Sequence, residues 1–362
     1  MQYPAVVYVV VTLLFILVIG TGLELFSRNV YRNALNIPAL KDGVVKVKYI
    51  LGENPANGEK FQTVPYGLYW NGSNYSHSGF QQTDINGFRY KGYDIGEKKK
   101  FRILVYGGST TFSDYCIVDP SKSWPELLER LILENDGRDI EIINAGLNYA
   151  LTSELLSHYV FIGHSFQPDM IFLHGPGNDL LPISAGDSTM DYRATRKSLK
   201  WDVRQFEREL LSKFGFLRVI YCYWLRKSQF LQLEPSGWDP IEIQNDRMLK
   251  TYPSAFKNNV ESLVILCKER NTPLVLIDFL QNSLSAIERI KPGLSEGMIE
   301  INRKMNEIFH SISQTNSNTS HIAFNQLDFP ESHFVDTCHL NEEGELKKAL
   351  IIYQELKRQK LV

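Results

Sequence analysis

Three polar residues of this sequence could act together as a nucleophile, a general base and a carboxylate that orients the base. Ser109 follows the apolar run 102–107, and Asp336 and His339 follow the last apolar run, 321–327. A serine hydroxyl is a weak nucleophile until a base such as histidine accepts its proton, and an aspartate can hold that imidazole in the required tautomer. These residue types therefore indicate attack on a carbonyl carbon through a covalent serine intermediate.

Each of the three residues also has an ordinary structural interpretation. Ser109 could be a turn serine that caps a helix. Asp336 could cap the helix expected after Asn341, and His339 could simply lie at the start of that helix. His333 is the one rival base, but it lies outside the Asp-x-x-His pattern. Catalysis is favoured because further polar positions follow the neighbouring predicted strands.

The elements that must position these residues alternate between short apolar runs and amphipathic helices. A strand is predicted at each of five runs, 102–107, 140–145, 169–174, 273–279 and 321–327. Helical segments separate the strands, so the connections are crossovers and the sheet is parallel with helices on both faces. The predicted fold is an α/β, three-layer α/β/α sandwich with a central five-stranded parallel sheet.

The helices are predicted from apolar residues spaced three or four positions apart. The helix that follows Pro120 is expected to begin with a capping box of Ser123 and Glu126. Apolar faces are predicted at Leu127, Leu128, Leu131 and Ile132; at Phe256, Val260, Leu263, Val264 and Cys267; at Met298, Ile301, Met305 and Ile308; and at Leu346, Ala349, Leu350 and Tyr353. The segment at about 179–255 interrupts the alternation of strands and helices and is interpreted as an insertion.

The predicted topology brings the polar positions to one edge of the sheet. Ligands of parallel α/β sheets bind beyond the carboxyl ends of the strands. Gly146 follows the second predicted strand and Asn178 follows the third. With Ser109, Asp336 and His339 they converge on this edge, where they supply a triad and two further donor positions.

Four blocks of the sequence resemble those of the SGNH, or GDSL-like, hydrolase family. In family order they read VYGGSTTF, NAGLNYA, GPGNDL and VDTCHLNEEG, and the resemblance covers roughly residues 101–357. Two positions depart from the family pattern. Gly108 replaces the acidic residue before the nucleophile, and Pro176 stands where a glycine is expected two positions before Asn178.

The resemblance implies a flavodoxin-like fold and esterase, lipase or deacetylase chemistry. Ser109 would be the nucleophile, His339 the base and Asp336 the residue that orients it. The oxyanion would accept hydrogen bonds from the amides of Ser109 and Gly146 and from the side chain of Asn178. The implied reaction uses no cofactor and no metal.

The N-terminal segment is apolar enough to cross a membrane. The first 23 residues carry no charged side chain. As a helix, the stretch 3–23 would span roughly 31 Å, which matches the hydrocarbon core of a bilayer. A cleaved signal peptide should be shorter, with a basic start and a small-residue cleavage site, so an uncleaved anchor is favoured. Arg28 and Arg32 follow the span, and positive residues there favour a domain on the cytoplasmic side of the membrane. Large domains, however, cross the membrane largely regardless of such charges. Either side of the membrane is therefore possible for the domain, and the extracytoplasmic side is preferred.

The predicted organisation has three parts. Residues 1–23 form the transmembrane anchor, residues 24–97 form a juxtamembrane and irregular, partly β lead-in, and residues 98–362 form the hydrolase domain with its insertion. Within the lead-in, the alternation in VKVKYIL predicts a short strand.

Several other classes of function are disfavoured by the sequence. Lys plus Arg number 39 against 41 Asp plus Glu, a net charge of −2, which argues against nucleic acid as a partner. The turn GGSTT lacks the lysine of a phosphate-binding loop, and no G-x-G-x-x-G occurs. The cysteines lack metal-type spacing and are interpreted as free thiols, although Cys116 and Cys338 could pair in an oxidising compartment. His174, inside the third predicted strand, is interpreted as a packed core histidine.

The sequence therefore predicts a membrane-anchored serine esterase that cleaves carboxylic esters, with short acyl groups such as acetyl expected. An acylated glycan or lipid of the cell envelope is the expected substrate because of the anchor. Acyl transfer through the same acyl-enzyme is one alternative. A catalytically inactive envelope protein that binds or scaffolds is another, and the intact Ser109, Asp336 and His339 argue against it.

Overall fold

A computed structural model of the chain describes residues 3–40, 44, 47, 61–62, 70–90, 98–175, 177–186, 189–192, 209–225 and 243–361. The described residues fall into two compact units, one drawn from 1–56 and 198–235 and the other from 57–197 and 236–362. The insertion predicted at about 179–255 therefore contributes its middle part to the same unit as the N-terminal helix. The second unit contains the main sheet and the site residues named above.

The bounds of the elements follow the predicted alternation of strands and helices. The described strands are β1 (Phe61–Gln62), β2 (Trp70–Asn71), β3 (Ser76–His77), β4 (Phe80–Gln81), β5 (Phe101–Gly107), β6 (Ile140–Gly146), β7 (Met170–His174), β8 (Leu274–Ile277) and β9 (Thr319–Ile322). The described helices are α1 (Tyr3–Arg32), α2 (Ser109–Phe112), α3 (Trp124–Asp136), α4 (Thr152–Phe161), α5 (Leu180–Ser184), α6 (Gly215–Leu225), α7 (Asn245–Lys250), α8 (Ser254–Glu269), α9 (Leu284–Ile290), α10 (Ser295–Thr315) and α11 (Glu342–Arg358).

The main sheet has the strand order β6–β5–β7–β8–β9, and every neighbouring pair is parallel. Alternate residues of β5 enter two separate cores. Leu104 and Tyr106 pack in the core that includes α4, α8 and α10, and Ile103 and Val105 pack in the core that includes α3 and α11. The predicted three-layer α/β/α sandwich with five parallel strands is confirmed.

Two local predictions were wrong at element ends. The last strand was expected at 321–327, but β9 ends at Ile322. The Asn325 side chain accepts a hydrogen bond from the Leu327 amide and turns the chain out of the sheet. The capping box of α3 is also absent, because the Ser123 hydroxyl donates to the Pro120 carbonyl instead.

The described residues 61–62 and 70–90 of the lead-in form two short antiparallel strand pairs, and some of them contact the main sheet. Strand β1 pairs with β2 and β3 pairs with β4, both antiparallel. The Asn71 side chain donates to the Gly146 carbonyl at 2.8 Å, and the Arg89 amide donates to the Asn144 carbonyl at 2.9 Å. These contacts attach the lead-in to the carboxyl end of β6.

In the unit that contains the N-terminal helix, polar contacts at the end of the apolar stretch join α1 to α6, beside an apolar cluster that includes Tyr31, Leu211 and Cys222. Helix α1 is long and apolar enough to cross a membrane, over Val10–Arg32. The Glu24 carboxylate accepts hydrogen bonds from the Gly215 and Phe216 amides and so caps α6. Of the predicted strand VKVKYIL only Val47 is described, and its backbone is helical, so the strand prediction fails at that residue.

Candidate active site

Ser109 lies on a tight turn between β5 and α2. Strand β5 ends at Gly107, Gly108 is extended (φ −85, ψ −156), and α2 begins at Ser109 itself. A Cβ on Gly107 would collide with the Thr111 side chain, so only glycine fits this close turn. The helix ends after one turn at Ser113, which is left-handed (φ 61). The turn places the Ser109 hydroxyl at the carboxyl edge of the sheet.

The three residues predicted to form a triad are joined by two hydrogen bonds. His339 Nε2 lies 2.8 Å from Ser109 Oγ, and His339 Nδ1 lies 2.7 Å from Asp336 Oδ2. Asp336 Oδ1 accepts hydrogen bonds from the amides of Cys338 (2.9 Å) and His339 (2.8 Å). A neutral imidazole with its proton on Nδ1 satisfies both contacts, so Nε2 is the basic atom that faces the hydroxyl.

The segment that carries the base is fixed by backbone contacts and by Asn282. The Val335 amide donates to the His339 carbonyl at 2.8 Å and closes a narrow loop. The Asn282 amide donates to the Thr337 carbonyl at 2.9 Å, and its side chain donates to the Asp336 carbonyl at 3.0 Å. Asn282 was not predicted from the sequence. It lies outside the four blocks, and a single polar residue in the segment after a strand is not distinctive.

Burial and hydrogen bonding act in opposite directions on the charges of the pair. Burial favours a neutral Asp336, but the His339 hydrogen bond and charge and two backbone amides lower the pKa of Asp336 to about 2. Burial also opposes a charged His339, but Cys338 and the Asp336 carboxylate outweigh it and raise the pKa of His339. The pair therefore stabilises the imidazolium that forms when the Ser109 hydroxyl loses its proton.

The raised pKa of His339 sets the sign of the expected pH dependence. Only the neutral imidazole can accept the Ser109 proton, so kcat/KM should rise with pH as His339 is deprotonated. Because the pKa is raised, the midpoint of that rise should lie above the ordinary histidine value of 6.5. Measuring kcat/KM for a neutral ester between pH 5 and pH 10, with the pH stability of the protein as a control, checks this. A midpoint below 6.5 would contradict the prediction.

Asn178 lies beside the triad in a short 3-10 turn, Gly177–Asp179, that follows β7. Its Nδ2 donates to the Ala150 carbonyl at 3.1 Å, which leaves the second amide proton for another acceptor. Asp179 fixes the turn from behind, because its buried carboxylate accepts from the Thr152 amide (3.0 Å) and hydroxyl (2.6 Å). Burial raises the pKa of Asp179 to about 7. Pro176, the departure noted in this block, lies outside the described residues.

The structure corrects the prediction that the Gly146 amide binds the oxyanion. This amide already donates to Asn144 Oδ1 at 3.0 Å. A Cβ at Gly146 would lie 2.5 Å from the Phe112 amide nitrogen, so the glycine allows β6 to pack directly against α2. Gly146 therefore packs against the turn that carries Ser109, and its amide already has a hydrogen-bond acceptor.

A buried polar network lies beneath the turn at residues 107–113 that carries Ser109. Thr111 Oγ1 lies 2.7 Å from His174 Nδ1, and Lys348 Nζ lies 3.0 Å from His174 Nε2 and donates to the Thr110 carbonyl at 3.4 Å. Burial and the neighbouring ammonium hold the pKa of His174 well below its ordinary value, so His174 is neutral. The interpretation of His174 as a packed core histidine is confirmed, since its side chain is fully buried.

Glu345 and Lys348 were missed because the buried face of α11 includes Ala349, as predicted, but is rotated away from Leu346. Leu346, expected to be buried, is 43% exposed, whereas Glu345 and Lys348 are 2% and 1% exposed. The Glu345 carboxylate accepts from the Trp124 amide at 2.7 Å and from the Ser113 hydroxyl at 3.3 Å. It thus takes the place of the missing capping box at the start of α3. Burial lowers the pKa of Lys348 to about 8, against the opposing effect of Glu345.

The cysteines near the site are free thiols. Cys116 and Cys338 are unpaired with each other in this structure, so the disulfide considered from sequence is not formed. Asp336, Cys338 and His339 offer ligand atoms within 4.8 Å of one another. A metal ion on these atoms would displace the proton that His339 Nδ1 donates to Asp336. The same atoms therefore fit a proton-transfer pair better than a metal site.

Comparisons with known proteins give structural neighbours only. No family model matches the chain, and no curated protein matches it. A GDSL-like lipase from Bacteroides thetaiotaomicron has 11% sequence identity and a TM-score of 0.40, with 72% of this chain and 89% of that chain covered. The acetyl xylan esterase AlAXEase has 13% identity and a TM-score of 0.41, with 70% and 99% covered. TesA has 12% identity and a TM-score of 0.41, with 71% and 98% covered.

Similarities of this size do not establish a family or an activity, which have to be argued from the geometry of the site.

Proposed function

We propose that this protein is a serine esterase that hydrolyses carboxylic esters through Ser109, His339 and Asp336. The observation that carries the proposal is the unbroken pair of hydrogen bonds, Ser109 Oγ to His339 Nε2 at 2.8 Å and His339 Nδ1 to Asp336 Oδ2 at 2.7 Å. Three residue types in these roles, at the carboxyl edge of a parallel sheet, are what acyl transfer by serine needs.

The first half of the reaction forms an acyl-enzyme. Ser109 Oγ attacks the ester carbonyl carbon while His339 Nε2 accepts the hydroxyl proton. The oxyanion accepts hydrogen bonds from Asn178 Nδ2 and from the Ser109 amide, which has no acceptor among the residues that the structure describes. His339 then gives its proton to the alkoxide oxygen as the carbon–oxygen bond breaks and the alcohol leaves.

The second half returns the enzyme to its starting state. A water molecule gives a proton to His339 Nε2 and attacks the acyl carbon. The bond from that carbon to Ser109 Oγ breaks, the serine regains its proton and the carboxylic acid leaves. Acyl transfer would use an alcohol in place of this water; hydrolysis is proposed because none of the contacts described above selects an acceptor alcohol.

The proposal includes attachment to a membrane through α1. The length and composition of Val10–Arg32 support an N-terminal anchor. An anchored esterase meets esters at the membrane surface, so an acylated lipid or glycan of the envelope is the proposed substrate.

Covalent labelling tests the proposed function without knowledge of the natural substrate. The full chain in detergent is incubated with a fluorophosphonate, digested, and its peptides are analysed by mass spectrometry. One adduct is expected, on Ser109, and it should be absent in His339→Ala because the base is needed to activate the hydroxyl. Exposed Ser311 serves as the internal control and should stay unmodified. An unlabelled Ser109 in folded protein would favour the inactive binding protein instead.

A further inference from the structure

A pocket next to Ser109 combines a polar end with an apolar wall. It encloses about 190 Å³, and Ser109, Asn178 and His339 lie at its polar end. Its apolar lining residues are Leu180, Leu181, Ile243, Phe279, Leu294 and Met298, and Gln281, Lys291 and Thr337 also line the pocket. A site lined in this way binds a ligand with one reactive polar group and an apolar extension.

The wall continues directly from the oxyanion donor. Leu180 and Leu181 follow Asn178 in the chain and begin α5. Phe279 follows β8, the neighbour of β7 in the sheet, and its ring fills the space where a side chain on Gly177 would lie. Leucine and phenylalanine side chains therefore begin immediately beyond the atoms that would hold the carbonyl oxygen.

The geometry of the reaction assigns this wall to the acyl side of an ester. The leaving oxygen must face His339 Nε2, which returns the proton to it. The oxyanion faces Asn178 Nδ2, so the acyl substituent takes the remaining direction at the carbonyl carbon, and the apolar wall that follows Asn178 offers it a surface.

We infer that this pocket binds the acyl chain of the substrate and selects a chain of about six to eight carbons over acetyl, an inference that rests on the proposed esterase function. A dry apolar cavity of roughly 150 Å³ accommodates a six-carbon ring, so a pocket of this size suits a saturated chain of about that length or slightly more. An acetyl methyl group would leave most of the wall uncovered. The acyl preference therefore differs from the acetyl group expected from sequence.

The value of kcat/KM should rise with the length of the acyl chain until that chain fills the pocket. Each methylene moved from water onto an apolar wall improves transition-state binding by about fourfold. From acetate to hexanoate kcat/KM should rise at least tenfold, even if only part of each methylene is buried. Beyond the length of the pocket, added methylenes should give no further gain.

The test uses the full chain in detergent with p-nitrophenyl acetate, butyrate, hexanoate, octanoate and decanoate. Wild type is expected to favour hexanoate or octanoate over acetate by at least tenfold in kcat/KM. Leu181→Trp fills the pocket and should lower the hexanoate-to-acetate ratio at least tenfold. Leu133→Trp, at a 48% exposed position on α3, is the matched control and should keep the wild-type ratio. Met298→Phe tests the same wall from α10 if the tryptophan variant fails to fold.

Two failures can be told apart. If Ser109 is labelled by a fluorophosphonate but acetate is hydrolysed as well as hexanoate, the pocket inference is wrong and the esterase proposal stands. An equal loss on both esters in folded Leu181→Trp would also overturn the pocket inference. If no ester is cleaved and Ser109 stays unlabelled, the esterase proposal is wrong and the inference goes with it.

Discussion

Ser109→Ala is expected to lower kcat/KM for ester hydrolysis by about 10⁶-fold, the order found when a serine nucleophile is removed from such a triad. The alanine cannot form the acyl-enzyme, so only water attack on a bound ester remains. The pocket and Asn178 are untouched, so KM should change far less than kcat. The measurement is steady-state hydrolysis of p-nitrophenyl hexanoate by the full chain in detergent.

The loss of activity in Ser109→Ala should come from the missing hydroxyl and not from a loss of stability. The Ser109 hydroxyl makes one hydrogen bond to a partly exposed imidazole, which contributes about 1 kcal/mol or less to the free energy of unfolding. The midpoint of unfolding should therefore stay close to that of wild type. Ser311→Ala, on the exposed side of α10, is the matched control and should retain full activity. Retention of more than a tenth of the activity in Ser109→Ala would remove Ser109 from the reaction.

Lys348→Met should give the largest loss of stability among the substitutions considered, about 3 kcal/mol in the free energy of unfolding. The methionine keeps most of the volume of the lysine. It leaves His174 Nε2 without its 3.0 Å partner and removes the one with the larger effect of the two positive charges, Lys348 and Arg89, that act on the buried Glu345 carboxylate. Urea unfolding of the full chain, followed by tryptophan fluorescence, measures the effect.

Two further variants separate the buried charge from a general effect of changing α11. Lys347→Met alters the neighbouring, more exposed lysine and should change the free energy of unfolding by less than about 0.5 kcal/mol. Glu345→Gln with Lys348→Met removes both charges, so the double variant should be more stable than the sum of the single losses implies. Strict additivity would mean that Glu345 and Lys348 do not interact.

The sequence was sufficient to predict the sheet and the proximity of Ser109, Asp336 and His339, because both follow from local patterns. Strands β5, β6 and β7 are short apolar runs with turn residues at their ends, and the parallel topology follows from the helices between them. Ser109, Asp336 and His339 were found because chemistry requires their types and the topology brings strand ends together. Residue type and topology were enough to expect hydrogen bonds among these three side chains.

The supporting residues could not be predicted, because their roles depend on partners far away in the chain. Lys348 and Glu345 have the charges of a solvent-facing helix surface, and their burial depends on distant partners such as His174 and Trp124. Gly146 was assigned to the oxyanion by the family resemblance, and a glycine at that position indicates a close approach without showing which group approaches. In the structure, the approaching group is the Phe112 amide of α2.

The order of the site residues along the chain has a consequence for biosynthesis. Ser109 and strands β5 to β9 are synthesised before Asp336, His339 and Lys348 exist. The Lys348 ammonium beside the Thr110 carbonyl and the His339 imidazole beside the Ser109 hydroxyl therefore arrive after the sheet, on α11 and the loop before it. In the proposed esterase, a nascent chain would carry an inert serine until this segment docks. The proposed ester cleavage would then begin only after the sheet and α11 have assembled.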